Sequence, residues 1–147
     1  MLKNYLSLIK FSHTIFALPF ALIGFTLAIS QQDYTFTWDK LLFVLLCMIF
    51  ARSAAMAFNR YIDRDVDTAN PRTKELREIP NGTIKAKSAL LFVIVNCILF
   101  IGSAYLLNSL CFALSPIVLL VILGYSYTKR FTALCHLVLG LGLSLSP

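Results

Sequence analysis

The chain has 147 residues, 59% of them hydrophobic and 14% charged, with a mean hydropathy of +0.79. That balance excludes an ordinary soluble domain and reads as an integral membrane protein. The net charge of +6 is informative through its placement along the chain, and nothing in it points to a nucleic-acid partner.

Residues 1–11 form a short basic lead with Lys3 and Lys10. An apolar run over about 13–30 follows, long enough for a first span at ~20 residues per crossing. Pro19 predicts a kink or a broken turn within it. The length of the run, and the spans after it, favour an uncleaved helix over a signal peptide. The polar residues 31–40 contain Asp33, Asp39 and Lys40, and a second span covers about 41–62. Residues 60–87 are the long polar stretch, with turn signals at Asn70-Pro71 and Asn81-Gly82. A third span covers about 88–107, a tight turn falls at Asn108-Ser109, and a fourth span covers about 111–127. Lys129-Arg130 comes next, and a fifth apolar stretch, about 132–147, is still apolar at Pro147. That stretch is short for a crossing, so the sequence is expected to be cut inside a larger membrane domain. The fold class is therefore all-α: a polytopic transmembrane helical bundle with about five spans in 1–147. Cys47, Cys97, Cys111 and Cys135 lie in apolar segments without ligand spacing and read as small core residues, and His13 and His136 have no ligand-spaced partner.

The charges orient the bundle. With the N-terminus cytoplasmic, Lys3, Lys10, the 60–87 loop and Lys129-Arg130 all fall inside, while the outer connections hold Asp33, Asp39 and Lys40. This is a strong positive-inside bias. It puts one motif, the long basic loop and Lys129-Arg130 at the same membrane face.

That motif is Asn59-Arg-Tyr-Ile-Asp63-Arg-Asp65-Val-Asp67. Asn59, Asp63 and Asp67 recur every four residues, so on a helix they share one face. Carboxylates this close are tolerated when water separates them or a cation bridges them. Mg²⁺ takes such oxygens and keeps waters and substrate phosphates as its other ligands. Arg52 lies on the same face inside an apolar segment, where an arginine is costly and marks a candidate site. Arg72, Lys74, Arg77, Lys129 and Arg130 supply cations suited to phosphate oxygens. Tyr125, four residues before Lys129, shares its helix face and can donate a hydrogen bond. A metal-bound diphosphate beside apolar spans describes a polyprenyl diphosphate, with the departing diphosphate stabilised by metal and fixed cations. Taken singly, each feature has a plainer reading. Helix-end Arg and Lys are usually topology anchors, Asp-x-x-x-Asp is commonly a solvated face, Tyr125 alone is an interface aromatic, and Asp65 simply pairs with a basic neighbour. Their coincidence at one membrane face, with Arg52 inside the span, favours a site.

The run Arg52-Ser-Ala-Ala-Met-Ala-Phe-Asn59-Arg-Tyr-Ile-Asp63-Arg-Asp-Val-Asp67, followed by Asn70-Pro-Arg-Thr and Arg77-Glu-Ile-Pro-Asn-Gly, resembles the first signature of the UbiA family of intramembrane prenyltransferases. Ser12-His-Thr-Ile-Phe-Ala-Leu-Pro-Phe and Tyr125-Ser-Tyr-Thr-Lys129-Arg130 are similar to other family segments, in the same order. The resemblance implies a bundle of nine spans, of which 1–147 would be the N-terminal part, with a cavity open towards lipid. It implies Mg²⁺-dependent transfer of a prenyl chain from polyprenyl diphosphate to an aromatic acceptor, through an allylic cation attacked by a ring carbon. Asp63 and Asp67 would be the catalytic residues, holding metal together with Asn59. Arg72, Lys129 and Arg130 would contact diphosphate, and Arg52 and Tyr125 would line the substrate cavity, with Arg52 placed to meet an acceptor carboxylate. Within the family the sequence most resembles the 4-hydroxybenzoate polyprenyltransferases of ubiquinone biosynthesis and their menaquinone-route relatives, with haem farnesyltransferases as an alternative of the same class. Membrane lipid is the surrounding partner, in a bacterial inner membrane.

Two departures stand out. Many members have Asn-Asp where this chain has Asn59-Arg60, and the family's second aspartate motif, after its sixth span, has no counterpart in these residues. Without it, the chain alone is expected to be inactive. A non-catalytic membrane remnant that binds lipid diphosphates is therefore a competing reading. A transporter half is disfavoured because the aspartates cluster at one face and not the midplane. A CDP-alcohol phosphotransferase is disfavoured because its Asp-Gly signature is missing.

Overall fold

The computed structural model describes residues 2–31, 35–131, 137 and 140. Among the described residues eight α-helices follow one another: α1 (Leu2–Leu8), α2 (Phe11–Ile15), α3 (Leu18–Ser30), α4 (Trp38–Ile62), α5 (Arg64–Ala69), α6 (Pro71–Leu76), α7 (Ala86–Leu107) and α8 (Ser109–Phe131). The described residues contain no strand. Trp38–Ile62, Ala86–Leu107 and Ser109–Thr128 are long and apolar enough to cross a membrane. At ~1.5 Å per residue each reaches the ~30 Å of a hydrocarbon core. Their outward side chains are apolar, among them Leu91, Ile98, Leu110 and Leu120, as lipid contact requires.

The first apolar run is not one helix. α2 stops at Ile15 and α3 starts at Leu18, with Pro19 in its first turn. Proline has no N–H to offer the Ile15 carbonyl, and its ring crowds that position, so an incoming helix cannot run through. α3, at 13 residues, is about 20 Å long and too short to span alone. The basic lead is also structured. α1 packs under the bundle, where Leu8 is fully buried with Ala54, Ala57, Ile84, Ala89 and Val93. Tyr5 lies against Phe92 with ring centroids 5.0 Å apart. The chain leaves α1 through Lys10 at φ 46°, a left-handed conformation rare for a residue with a Cβ.

The centre of the bundle is the α4–α7 pair, with α8 packed on both. Ser53, Ala54 and Ala57 on α4 and Ala89, Ser103 and Ala104 on α7 are buried. Small residues let two helices approach closely where lipid gives no hydrophobic incentive to associate. Three buried polar side chains of the spans are satisfied within their own helices. Asn96 donates to the Phe92 carbonyl at 2.8 Å, Ser103 to Leu99 at 2.8 Å and Ser115 to Phe112 at 2.8 Å. α7 and α8 meet at Asn108, whose side chain accepts the Cys111 N–H at 2.6 Å and caps α8. The tight turn expected there is present. Cys47, Cys97 and Cys111 are free thiols. The expected fifth span, 132–147, and Cys135 lie outside the described residues apart from Leu137 and Gly140.

Candidate functional site

The Asn59 motif closes α4. The Asp63 N–H reaches the Asn59 carbonyl at 3.0 Å and the Asp67 N–H reaches the Asp63 carbonyl at 2.9 Å. The one-turn spacing therefore survives although the helix bends at Asp63, where ψ relaxes to −3°. α5 carries the register on to Asp67. The bend exposes the Ile62 carbonyl, and Arg130 at the end of α8 donates to it at 2.5 Å while lying 3.5 Å from Asp65. Arg130 thus caps α4 as a cation at a helix C-terminus. Asp65, exposed on another face, also lies 3.6 Å from Arg64. Arg64 stacks over Tyr61 at 4.4 Å.

The loop folds back over this end. Asn70 caps α6 by accepting the Arg72 N–H at 3.1 Å, and Thr73 donates to the Asp67 carbonyl at 2.8 Å. Arg77 pairs with the carboxylate of Asp67, which is only 5% exposed. The next residue, Glu78, accepts from Ser7 of α1. The α1 end, the 63–85 loop and the C-terminus of α8 therefore meet at one end of the bundle.

A cavity of about 1240 Å³ lies between α3, α4 and α8, with Asn59 at this end of the bundle. Phe20, Gly24, Val44, Met48 and Val121 give it apolar walls, and Arg52, Asn59 and Tyr125 give it polar ones. Lys40 and Asn108 line its other end. From Lys40 to Asn59 along α4 is about 28 Å at ~1.5 Å per residue, nearly the depth of a bilayer core. The Nε of Arg52 is buried without a hydrogen-bond partner among the described residues. A buried guanidinium N–H lacking an acceptor is costly, and an anionic group in the cavity would satisfy it.

The structure thus brings Arg52, Asn59 and Tyr125 to one cavity. It stacks Asp63 and Asp67 one and two turns beyond Asn59, and it ties Arg130 to the same helix end. Arg72 is exposed on α6 and is not part of the cavity wall, and Lys129 precedes Arg130 in the last turn of α8. Sequence reasoning placed Arg77 in the cation group but did not foresee its pairing with Asp67. It also missed Lys40 and Asn108 as cavity residues. The hydrophobic period of α4 runs through Lys40 and could have flagged it. The Arg77 pairing depends on a chain reversal that no period encodes.

The donors Asn59 and Asp63 are hard oxygens of the kind Mg²⁺ takes when substrate phosphates complete its shell. Among the described residues no three His, Cys, Asp or Glu side chains are gathered as a metal cage. Asp67, the third candidate, is engaged by Arg77. Asn59 and Asp63 carry oxygens of the type a partly hydrated divalent ion accepts, and the Asp67 carboxylate is held by Arg77.

Fold and site together define a membrane-embedded helical protein with an apolar cavity whose polar wall holds Arg52, Asn59 and Tyr125, with Asp63 and Asp67 one and two turns beyond Asn59. The model of the UbiA prenyltransferase family matches residues 17–147, and the chain belongs to that family. A 4-hydroxybenzoate octaprenyltransferase of Aliivibrio salmonicida is 36% identical over 109 residues, which are 73% of this chain and 37% of that protein. One from Vibrio cholerae is 38% identical over 102 residues, 69% of this chain and 36% of that protein. The solved apo structure of a UbiA homolog from Aeropyrum pernix K1 superposes with a TM-score of 0.78 at 36% identity, covering 90% of this chain and 46% of that one. The chain thus spans a little over a third of the length of the octaprenyltransferases it matches.

Proposed function

We propose that these residues form the diphosphate-binding part of an aromatic polyprenyltransferase. It would move a polyprenyl group from its diphosphate to a ring such as 4-hydroxybenzoate in quinone biosynthesis. The observation that carries this reading is the single cavity that joins apolar walls long enough for a lipid tail to Arg52, Asn59 and Tyr125. The names of the relatives supply the acceptor. The positive-inside charge pattern supports a bacterial inner membrane with this end facing the cytoplasm.

In this reading Asn59 and Asp63, joined by Asp67, hold Mg²⁺, and a bound Mg²⁺ would offset the charge of the departing diphosphate. Arg72, Lys129 and Arg130 supply fixed positive charge for the diphosphate oxygens. Arg52 turns its unsatisfied Nε towards an anionic acceptor group, so that a ring carboxylate is held beside the allylic carbon. Tyr125 donates a hydrogen bond from the opposite wall. The apolar walls exclude water, which would otherwise capture the allylic cation.

The test is equilibrium binding of farnesyl diphosphate to the 147-residue chain in detergent, with Mg²⁺. Asp63→Ala should weaken retention by ~10-fold or more, the loss of one charge-assisted contact, while farnesol, which lacks the diphosphate, should not respond to the substitution. Equal retention of farnesyl diphosphate by wild type and variant would remove the assignment. The family's second aspartate motif is not in these residues, so this chain alone is expected to bind without turnover. Prenylated 4-hydroxybenzoate formed by it would overturn that expectation.

A further inference from the structure

Asp67 is the one buried carboxylate among the described residues, and its partner is Arg77, ten residues on. The two are held together from several sides. Thr73 donates to the Asp67 carbonyl at 2.8 Å, and the Arg77 N–H reaches the Thr73 carbonyl at 3.0 Å. The Asn81 N–H reaches the Arg77 carbonyl at 3.1 Å, and Ile84, 5% exposed, closes the turn by donating its N–H to Glu78 at 2.8 Å. Glu78 is in turn tied to Ser7 of α1. A guanidinium therefore sits on the last rung of the Asn59–Asp63–Asp67 ladder. A buried carboxylate needs a cation, and here the chain supplies its own.

We propose that Arg77 is a built-in counter-ion that competes with the divalent cation for Asp67. Metal binding would then be coupled to withdrawal of Arg77 and loosening of the turn at 77–84. This rests on the divalent-diphosphate reading above. Exchanging one cation for another keeps the buried carboxylate neutralised throughout. A withdrawn guanidinium stays next to the incoming diphosphate, a group arginine can grip through two parallel hydrogen bonds. Arg77 is on this account a positioning residue that acts through Asp67. Asp65, whose cation contacts are longer and lie on an exposed carboxylate, has no such role.

The experiment is a Mn²⁺ titration of the full chain in detergent, read by the electron paramagnetic resonance of free Mn²⁺. Arg77→Gln should tighten Mn²⁺ binding by at least ~5-fold, the lower end of ordinary coupling between sites. Arg77→Lys, which keeps the charge, should stay near wild type. In an Asp67→Asn background the gain from Arg77→Gln should vanish. Arg64→Gln, which removes a neighbouring cation that pairs with Asp65, should change binding by less than about two-fold, because exposed charges are screened. A gain that persists without Asp67, or an equal gain from Arg64→Gln, would reduce the effect to general charge and overturn the proposal. Unchanged or weaker binding in Arg77→Gln would also overturn it. A second reading needs no variant: Mn²⁺ with inorganic diphosphate should speed amide exchange at Arg77 and Asn81 in the wild type, and unaltered protection there contradicts the coupling. Mn²⁺ binding that requires Asp63 but ignores Arg77 would sink this proposal alone. Absence of Mn²⁺ binding to every form would remove the metal reading and this proposal with it.

Discussion

Leu8→Ala tests whether the N-terminal helix is a docked part of the bundle. Leu8 is fully buried, and its neighbours are Ala54, Ala57, Ile84, Ala89 and Val93. Truncation removes about three carbon groups at ~0.8 kcal/mol each, or roughly 2.4 kcal/mol of transfer free energy. A cavity term adds to this. Three of the neighbours are alanines on long helices, too short to reach into the gap, so little collapse is available. A total of about 3 kcal/mol follows, within the ~2–5 kcal/mol known for such changes. Because α1 is joined to the bundle by a short linker, the loss should fall on its docking and not on the spans. About 3 kcal/mol corresponds to roughly 100-fold in the undocking equilibrium. Hydrogen exchange in detergent reads this directly. The Ile9 amide, bonded to the Tyr5 carbonyl at 3.1 Å, should exchange roughly 100-fold faster, while amides in the middle of α7 stay unchanged. An acceleration below about 3-fold at Ile9 would refute the docking energetics. Equal acceleration throughout α7 would show that α1 and the spans open as one unit.

Gly82 sits at φ 82°, and a Cβ there would meet nothing within 4 Å. Gly82→Ala should therefore cost only the left-handed backbone penalty, about 1 kcal/mol, seen as a small fall in thermal stability with Mn²⁺ binding retained; a loss of several kcal/mol would contradict the open space. Arg130→Gln removes the charged cap on the Ile62 carbonyl and the contact with Asp65, and should lower stability by about 1–2 kcal/mol. Scanning calorimetry at low and high salt checks this: most of the loss should persist in salt, because the cap is a short hydrogen bond, and a difference that disappears in salt would reassign it to the exposed pair.

The Asn59–Asp63–Asp67 ladder was legible because one period governs it. A four-residue spacing at the end of an apolar run leaves a helix little alternative, and the backbone bonds at 3.0 and 2.9 Å keep that register across the bend. The membrane-length helices were legible for the same reason. The meeting of α1, the 63–85 loop and the end of α8 followed from charge placement. What was not legible arises from contacts distant in sequence. Arg77 finds Asp67 only because Asn70 and Pro71 reverse the chain and Thr73 pins the reversal, and those steps depend on tertiary geometry. Composition made residues 1–11 a basic lead, whereas the seven-residue α1 is stabilised by Leu8 filling a gap among alanines, which hydropathy does not register. Pro19 announced an interruption, but the residue alone does not say whether the helix kinks there or stops, and here α2 stops at Ile15 and α3 starts at Leu18.

The close α4–α7 seam bears on how the protein is made. Both partners of the Asp67–Arg77 pair, and the turn that joins them, lie between α4 and α7. All of these residues precede α8 in the order of synthesis. Small residues along the seam let those two helices close on each other without help from the later span. The Asp67–Arg77 pair therefore draws only on residues made ahead of α8, whereas the Arg130 cap on the Ile62 carbonyl and the wall carrying Tyr125 both need α8.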